Sequence, residues 1–188
     1  MDERARQIAA AGYAVINRYG LKRASMADIA EEAGVSRQTV YNVFPNREAL
    51  LVGVVTYHFD SRWEALWAAA KPDDDRRHRF EALLEHLLIQ PWKQMQAMPN
   101  SEELEIEVKS ALETHLAGVQ AETQRRLCEF LLPYEDILQA RGTSSQGLGQ
   151  MLHHSLIGLK MCSSCPNDLE STTSTMLACL MALTEDAG

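Results

Sequence analysis

Apolar residues recur every three or four positions along most of this chain, and this period predicts helices rather than strands. The first predicted helix covers residues 2–19 and ends before Gly20, a typical stop signal. Its apolar face consists of Ile8, Gly12, Val15, Ile16 and Tyr19. A chain of 188 residues with this pattern is long enough to bury a substantial core.

The stretch after residue 24 predicts two short helices that meet at a sharp angle. Ser25 and Asp28 have the spacing of a capping box at the start of the first helix. Gly34 can take the left-handed conformation that ends this helix, and Val35 follows it as a buried plug. Ser36 then has the right side chain to cap the second helix.

The second of these helices has one apolar and one polar side. Val40 and Phe44 lie four residues apart on the inner side. The outer side contains no acidic residue and consists of Arg37, Gln38, Thr39, Tyr41 and Asn42. These side chains suit the major groove of DNA, so the stretch predicts a helix-turn-helix whose second helix reads DNA.

A long apolar helix is predicted next. Pro45 ends the second helix and Asn46 caps a helix over residues 47–70. At 1.5 Å per residue this helix is about 36 Å long, which is enough to connect the DNA module to a second core.

The rest of the chain is also predicted to be helical. Residues 71–75 form a linker in which Asp73 or Asp74 caps the following helix, and Pro91 interrupts that helix. Pro133 splits a long helical region over residues 101–140. After a loop at residues 142–145, the last two helices are predicted at residues 146–163 and 168–184.

The negative charge is unevenly distributed. The net charge is −8, but residues 1–50 have a balance of +1 and the remainder has −9. The acidity therefore lies outside the predicted DNA module, where it discourages DNA from binding elsewhere or serves only to keep the surface soluble.

The run from Ile29 to Leu51 resembles the tetracycline-repressor (TetR) family of transcriptional regulators. The matching residues are Ile29-Ala30, Ala33-Gly34-Val35-Ser36, Thr39-Val40-Tyr41, Phe44-Pro45-Asn46-Arg47-Glu48 and Leu50-Leu51. This match covers about the first quarter of the chain, and Arg47 stands where the family most often has lysine. The resemblance implies an all-α fold, with a three-helix DNA-binding domain at 1–46 and a larger helical ligand-binding and dimerisation domain at 47–188.

The resemblance also implies partners and DNA contacts. The partners are a palindromic double-stranded operator, a second copy of the chain and a small-molecule effector that releases a repressor from DNA. The aromatic side chains of the larger domain favour a mostly apolar effector. Arg37 and Gln38 have side chains able to bond guanine or adenine edges, whereas Thr39 and Tyr41 resemble the family's phosphate contacts. Ser25 and Arg47 lie at two predicted helix N-termini, whose free amides favour a phosphate. The full predicted set is Ser25, Ser36, Arg37, Gln38, Thr39, Tyr41, Asn42 and Arg47.

A ligand pocket and a dimer interface are predicted in the larger domain. The pocket candidates are Trp63, Trp67, Phe80, Trp92 and Met95, with Met98 beside them, although each residue alone is also typical of a plain core. His58, His86 and His115 are candidates to orient a polar ligand. The interface candidates on the last two helices are Leu152, Leu156, Leu159, Met176, Leu177 and Leu180.

Alternative functions have weaker support in the sequence. Cys162 and Cys165 have Cys-x-x-Cys spacing, which leaves a thiol- or metal-sensing regulator as an alternative, but one pair supplies only two ligands. A helical-bundle enzyme is less favoured because the chain contains none of the common catalytic motifs. We expect no catalytic site, metal or cofactor, no membrane association and a cytoplasmic location.

Overall fold

The computed structural model describes residues 1–97, 101–162 and 166–185, without the side chains of 101–114, 116, 160–162, 166 and 167. Over these ranges the protein is all-α, as predicted. The helices are α1 Glu3–Tyr19, α2 Met26–Glu32, α3 Arg37–Val43, α4 Arg47–Ala69, α5 Arg76–Leu84, α6 Gln90–Ala97, α7 Ser101–Leu131, α8 Glu135–Ala140, α9 Ser145–Cys162 and α10 Pro166–Leu183. A π-helical turn, Glu85–Ile89, joins α5 to α6, and a 3₁₀ turn, Leu132–Tyr134, joins α7 to α8.

The first of two compact units contains Met1–Arg62 and Gln94–Val119. Its core is built from α1, α2, α3 and the first two turns of α4, which contribute Leu50, Leu51 and Val54. This core therefore extends beyond residue 46, and the predicted domain boundary there stays a prediction. Tyr19 was wrongly placed on the buried face: it is 50% exposed, at the last position of α1. Val35 is half-buried rather than a buried plug.

The predicted capping and turn chemistry of this unit is confirmed. Ser25 and Asp28 form both hydrogen bonds of a capping box at the start of α2. Gly34 has a φ of +66°, which is the left-handed conformation required after that helix. The Ser36 hydroxyl accepts the amide N–H of Thr39, and the Asn46 side chain accepts that of Ala49.

The second unit contains Trp63–Lys93 and Gln120–Gly188. Its core combines the end of α4, α5, the π-helical turn, the end of α7 and α8 to α10. The residues with the least exposure are Leu66, Ala70, Phe80, Leu83, Leu88, Leu127, Phe130, Leu131 and Leu138. Most of them are leucines at helical spacing, which is why the sequence predicted these elements.

Two predictions about the start and continuation of α5 are wrong. Asp75, and neither Asp73 nor Asp74, caps α5 by accepting the amide N–H of His78. Asp74 instead accepts the amide N–H of Lys71 and closes the turn before the helix. Pro91 does not interrupt the helical path, because the π-helical turn widens the backbone just before it and avoids the clash that proline causes in a regular helix.

The predicted split at Pro133 is confirmed, since the 3₁₀ turn that contains it separates α7 from α8. Glu135, at the start of α8, accepts the amide N–H of Ser145 and thereby caps α9. Hydrogen bonds from Ser145 hold the pKa of the Glu135 carboxyl below its ordinary value. Among the described helices, none is both long and apolar enough to cross a membrane.

We predict that Gly53→Ala destabilises the first unit. A Cβ atom at this position would lie 2.5 Å from Cε1 of Phe44, whose ring is buried and has little room to move. The expected loss is about 1–3 kcal/mol in the free energy of unfolding, typical of overpacking. Urea unfolding followed by circular dichroism measures it.

Gly118→Ala is the matched control. Gly118 also lies inside a long helix, α7, but a Cβ there meets no atom within 4 Å. The control should be neutral or stabilising by about 0.5–1 kcal/mol, the usual gain for alanine over glycine in a helix. Equal effects of the two substitutions would show that the contact between Gly53 and Phe44 is not tight.

Candidate nucleic-acid interface

The helix α3 presents a polar face to solvent and holds its apolar face in the core. Val40 is fully buried and Phe44, directly after the helix, is 9% exposed. The opposite face, which we call the α3 outer face, consists of Arg37, Gln38, Thr39, Tyr41 and Asn42. Thr39 is half-buried and the other four are exposed. All five predicted side chains are therefore on one surface, as the helical period required.

Two pairs of polar side chains are already ordered around α3. The Gln38 side-chain amide donates to Oδ1 of Asn42 over 2.9 Å, one helical turn away. The hydroxyls of Ser36 and Thr39 are 2.9 Å apart, so Ser36 is occupied as the cap of α3. Ordered side chains lose less conformational entropy when they bind a partner than mobile ones do.

The electrostatics of this region centre on Asp28 and Arg37. Hydrogen bonds from the Ser25 side chain and backbone lower the pKa of the Asp28 carboxyl, and the charge of Arg37 lowers it further. Ser25 Oγ is 2.6 Å from Asp28 Oδ2, so the predicted phosphate residue Ser25 is engaged in its own cap.

Arg47 connects α4 to the segment between α1 and α2. Its guanidinium donates to the backbone carbonyls of Leu21 and Ala24, the latter over 2.6 Å. Sequence reasoning assigned Arg47 to a phosphate and missed this role, because the two carbonyls lie more than twenty residues earlier in the chain. An arginine is suited to it, since one planar group can serve two acceptors.

A second polar cluster in the same unit joins α1, α4 and α6. Oε1 of Gln94 accepts hydrogen bonds from Tyr13 over 2.8 Å and from Arg62 over 2.6 Å. Arg62 Nε also donates to Nε2 of His58, whose ring lies 4.9 Å from that of Tyr13. Burial lowers the pKa of Arg62. No local signal in the sequence indicated this cluster, because its members lie up to 81 residues apart.

Most of the predicted ligand residues are packed as core. Trp63, Phe80 and Trp92 are buried in the second unit, and Trp67 is half-buried against them. Met95 is half-buried in the first unit. Met98 lies outside the described residues. This placement agrees with the expectation that each of these residues, taken alone, is an ordinary core residue. Ligand binding by the group as a whole stays a prediction.

The predicted dimer residues divide into two sets. Leu152, Leu156 and Leu180 lie in the core of their own unit, at 4% exposure or less. Leu159, Met176 and Leu177 are half-buried against that core. The two helices also form a shallow apolar groove of about 100 Å³. Its lining includes the candidates Leu152, Met176 and Leu180, together with Met151, Ser155, Thr172, Thr175 and Cys179. The dimer interface that the sequence places on these helices stays a prediction.

The candidate histidines and cysteines form no assembled site in the described part of the chain. His58 is bonded to Arg62, and Nε2 of His115 lies 2.9 Å from the hydroxyl of Thr56. His86 is half-buried. Among the described residues, no group of three or more His, Cys, Asp or Glu could hold a metal ion. Cys165 and the side chain of Cys162 lie outside the described residues.

Comparisons with known proteins agree with this geometry. Residues 8–54 match the family model described as "Bacterial regulatory proteins, tetR family". The chain is 39% identical, over 57 residues, to an uncharacterised helix-turn-helix transcriptional regulator of Mycobacterium tuberculosis, a match that spans 30% of each protein.

Solved structures extend the likeness to the whole fold. A protein from a Rhodococcus species assigned to the TetR-family transcriptional regulators has a TM-score of 0.68 at 22% identity, covering 98% of this chain and all of that one. The multidrug-binding protein EbrR has a TM-score of 0.56 at 19% identity, covering 100% and 98%. The resemblance drawn from the sequence is thereby confirmed: residues 8–54 match the tetR family of bacterial regulatory proteins, and the fold is similar to that of solved TetR-family regulators.

Proposed function

We propose that this protein is a transcriptional regulator that binds operator DNA with the α3 outer face. The observation that carries the proposal is an exposed helix face with donors, one phenol and no carboxylate, fixed to a core by Val40 and Phe44. A helix enters the major groove when its exposed side chains can bond base edges and its own position is rigid.

The residues of this face have different roles. Arg37 points a guanidinium into solvent and suits guanine, whose O6 and N7 accept a pair of hydrogen bonds. The amides of Gln38 and Asn42 are bonded to each other and still offer both donors and acceptors, as adenine requires. Tyr41 and Thr39 contact phosphates and set the register of the helix on the duplex.

The main role of Ser25, Ser36 and Arg47 is to hold the DNA-binding surface in place rather than to recognise bases. The two serines hold the starts of α2 and α3 through their caps, while the free amides at these ends favour a phosphate. Arg47 fixes the chain between α1 and α2 relative to α4. Its predicted phosphate contact remains part of the proposal, with this intramolecular role added.

We further propose that the protein binds a palindromic operator as a homodimer and acts as a repressor. The resemblance pairs the last two helices of each copy, and the exposed apolar groove on α9 and α10 is the surface available for such pairing. A symmetric dimer places its two reading helices about 34–36 Å apart, one turn of DNA.

A small, mostly apolar effector is proposed to release the repressor from DNA. In support, the related fold of EbrR belongs to a multidrug-binding protein. The helix α4 runs without a break from Arg47 to Ala69 and contributes to both compact units. A ligand acts in this way only if it binds the released state better than the DNA-bound state. A 100-fold loss of operator affinity requires about 2.7 kcal/mol of such preference.

Selection of bound sequences from random DNA tests the proposal as a whole. A regulator enriches one palindromic sequence, which then serves as the operator in fluorescence-anisotropy titrations. Adding diamide, zinc or a chelator to the titration separates the thiol- or metal-sensing alternative from an effector that binds without these agents. A selection that enriches no sequence would contradict operator binding.

We predict that the α3 outer face separates specificity from general affinity. Arg37→Ala or Gln38→Ala should relax preference at one or two base positions, by about 1–3 kcal/mol each, because base-edge bonds are lost. Tyr41→Phe should weaken binding to operator and non-operator DNA alike. Anisotropy titrations against single-base variants of the selected operator measure both effects, and an equal loss of preference in the two classes of variant would exclude this division.

We predict that Arg47 stabilises the fold and Arg37 does not. Arg47→Ala removes hydrogen bonds from a cation to two carbonyls and should lower the free energy of unfolding by about 1–3 kcal/mol. Arg37→Ala, the matched control, is exposed and should change it by less than about 0.5 kcal/mol. Urea unfolding without DNA measures both. If the two variants were equally stable, Arg47 would have no supporting role in the free protein.

We predict that Met151→Glu yields a folded monomer. Met151 is 49% exposed in the apolar groove, so a charge there opposes pairing without entering the core. Leu132→Glu is the control, since Leu132 is a similarly exposed apolar residue, at 53%, that does not line this groove. Sedimentation at micromolar concentration should show dimers for wild type and control. A monomeric wild type, or a dimeric Met151→Glu, would contradict the interface.

A further inference from the structure

A buried arginine in the second unit forms no ion pair with any described residue. Arg79, on α5, is 2% exposed. Its Nη1 donates to the hydroxyl of Tyr134 over 2.9 Å, and its Nη2 donates to the backbone carbonyl of Phe130 over 3.1 Å. Its Nε is buried and has no hydrogen-bond partner among the described residues. Within the described part of the chain, no ion pair joins its guanidinium to a carboxylate.

The surroundings of Arg79 compensate its charge only in part. The guanidinium carbon lies 4.6 Å from the ring centre of Phe130 and 5.3 Å from that of Tyr134, where the ring faces attract a cation. The Phe130 carbonyl lies in the last turn of α7, the negative end of that helix. None of these groups carries a negative charge, and a buried charge without a partner is costly to the fold.

We propose that Arg79 binds the carboxylate of an otherwise apolar organic acid. A carboxylate matches the planar donors of arginine and would supply both the missing charge and an acceptor for Nε. The proposal rests on the proposed ligand response for its regulatory meaning, and it narrows the effector from a mostly apolar molecule to an aromatic or aliphatic monocarboxylic acid.

The aromatic residues near Arg79 suit the apolar part of such an acid. The ring centre of Phe130 lies 5.5 Å from that of Trp67 and 6.4 Å from that of Phe80. Trp67 in turn lies 6.2 Å from Trp63. The cation therefore borders a group of rings that includes three of the residues predicted for a ligand pocket.

Tyr134 provides the access route to the guanidinium. Its ring is half-buried in the 3₁₀ turn after α7, beside the exposed Leu132. Its hydroxyl is the acceptor now bonded to Arg79. Rotation of this one side chain would uncover the guanidinium and free Nη1, so the acid and the tyrosine hydroxyl compete for the same donor.

Calorimetry and thermal unfolding of the full chain, without DNA, test the site directly. The probes are benzoate, phenylacetate and octanoate, each compared with its own uncharged amide at neutral pH. We expect at least one acid to raise the midpoint of unfolding and to bind about tenfold more tightly than its amide, because only the acid pairs with the buried charge. No binding of any acid at millimolar concentration, or equal affinity of acid and amide, would overturn the proposal.

Variants locate the effect. Arg79→Gln should remove the preference for acid over amide, while Arg77→Gln should keep it. Arg77 is the matched control because it lies on the same helix but is exposed and paired with Glu81. If Arg79→Gln does not fold, the Tyr134→Phe variant tests the site in its place. Loss of the competing hydroxyl should raise the affinity for the acid a few-fold and leave the affinity for the amide unchanged. A preference that survives in Arg79→Gln, or a Tyr134→Phe variant with unchanged acid affinity, would overturn the site.

Operator DNA added afterwards separates this site from the proposed function. If an acid binds through Arg79 but does not weaken operator binding, the site is supported and the proposed ligand response is contradicted. If the wild-type protein selects no operator but still prefers acid to amide, the site is supported and the proposed function as a transcriptional regulator is contradicted. Absence of acid binding in a protein that does bind an operator overturns only the inference drawn from Arg79.

Discussion

The contact between Phe44 and Gly53 positions the proposed reading helix. Phe44 follows α3 directly, and its ring lies where a side chain on residue 53 of α4 would be. The approach is possible only because glycine has no Cβ, so the ring can pack against the backbone of α4. The exposed side of α3 is consequently fixed relative to α4, and an ordered polar face is what base recognition requires.

Arg47 and the helix caps reinforce the same arrangement. The guanidinium of Arg47 binds carbonyls at both ends of the connection between α1 and α2, while Ser25 and Ser36 satisfy free amides at the starts of α2 and α3. Each interaction is modest, but all act on segments of seven residues or fewer, which cannot hold a helical conformation alone. The site is therefore a property of the surrounding core as much as of its own side chains.

Local chemistry explains why so much of the helix-turn-helix could be predicted from the sequence. The capping box at Ser25, the left-handed Gly34 and the apolar pair Val40 and Phe44 depend on residues within a few positions of one another. The carbonyl partners of Arg47 and the bonds between Tyr13, Gln94 and Arg62 depend on residues that only the folded chain brings together. No periodicity indicates such contacts.

Periodicity also cannot tell which apolar stripe faces the protein's own core. Leu152, Leu156 and Leu180 repeat as an interface would, yet they are buried within their unit, while Met151, which lines the same apolar groove as Leu152 and Leu180, remains exposed. The error at Pro91 has a different origin. A π-helical turn keeps the chain helical past a proline, and its only mark in the sequence is the proline that it accommodates.

The two arginines buried in the separate units show how the chain treats internal charge. Arg62 lies among polar groups, with Gln94 and His58 as acceptors, and burial lowers its pKa. Arg79 lies among aromatic rings, with one of its donors unused. A hydrophobic residue at position 79 would extend the apolar face that continues through Ala82 and Leu83, three and four residues on, so packing alone does not require an arginine there. The unused Nε of Arg79 is the donor that the proposed carboxylate would engage.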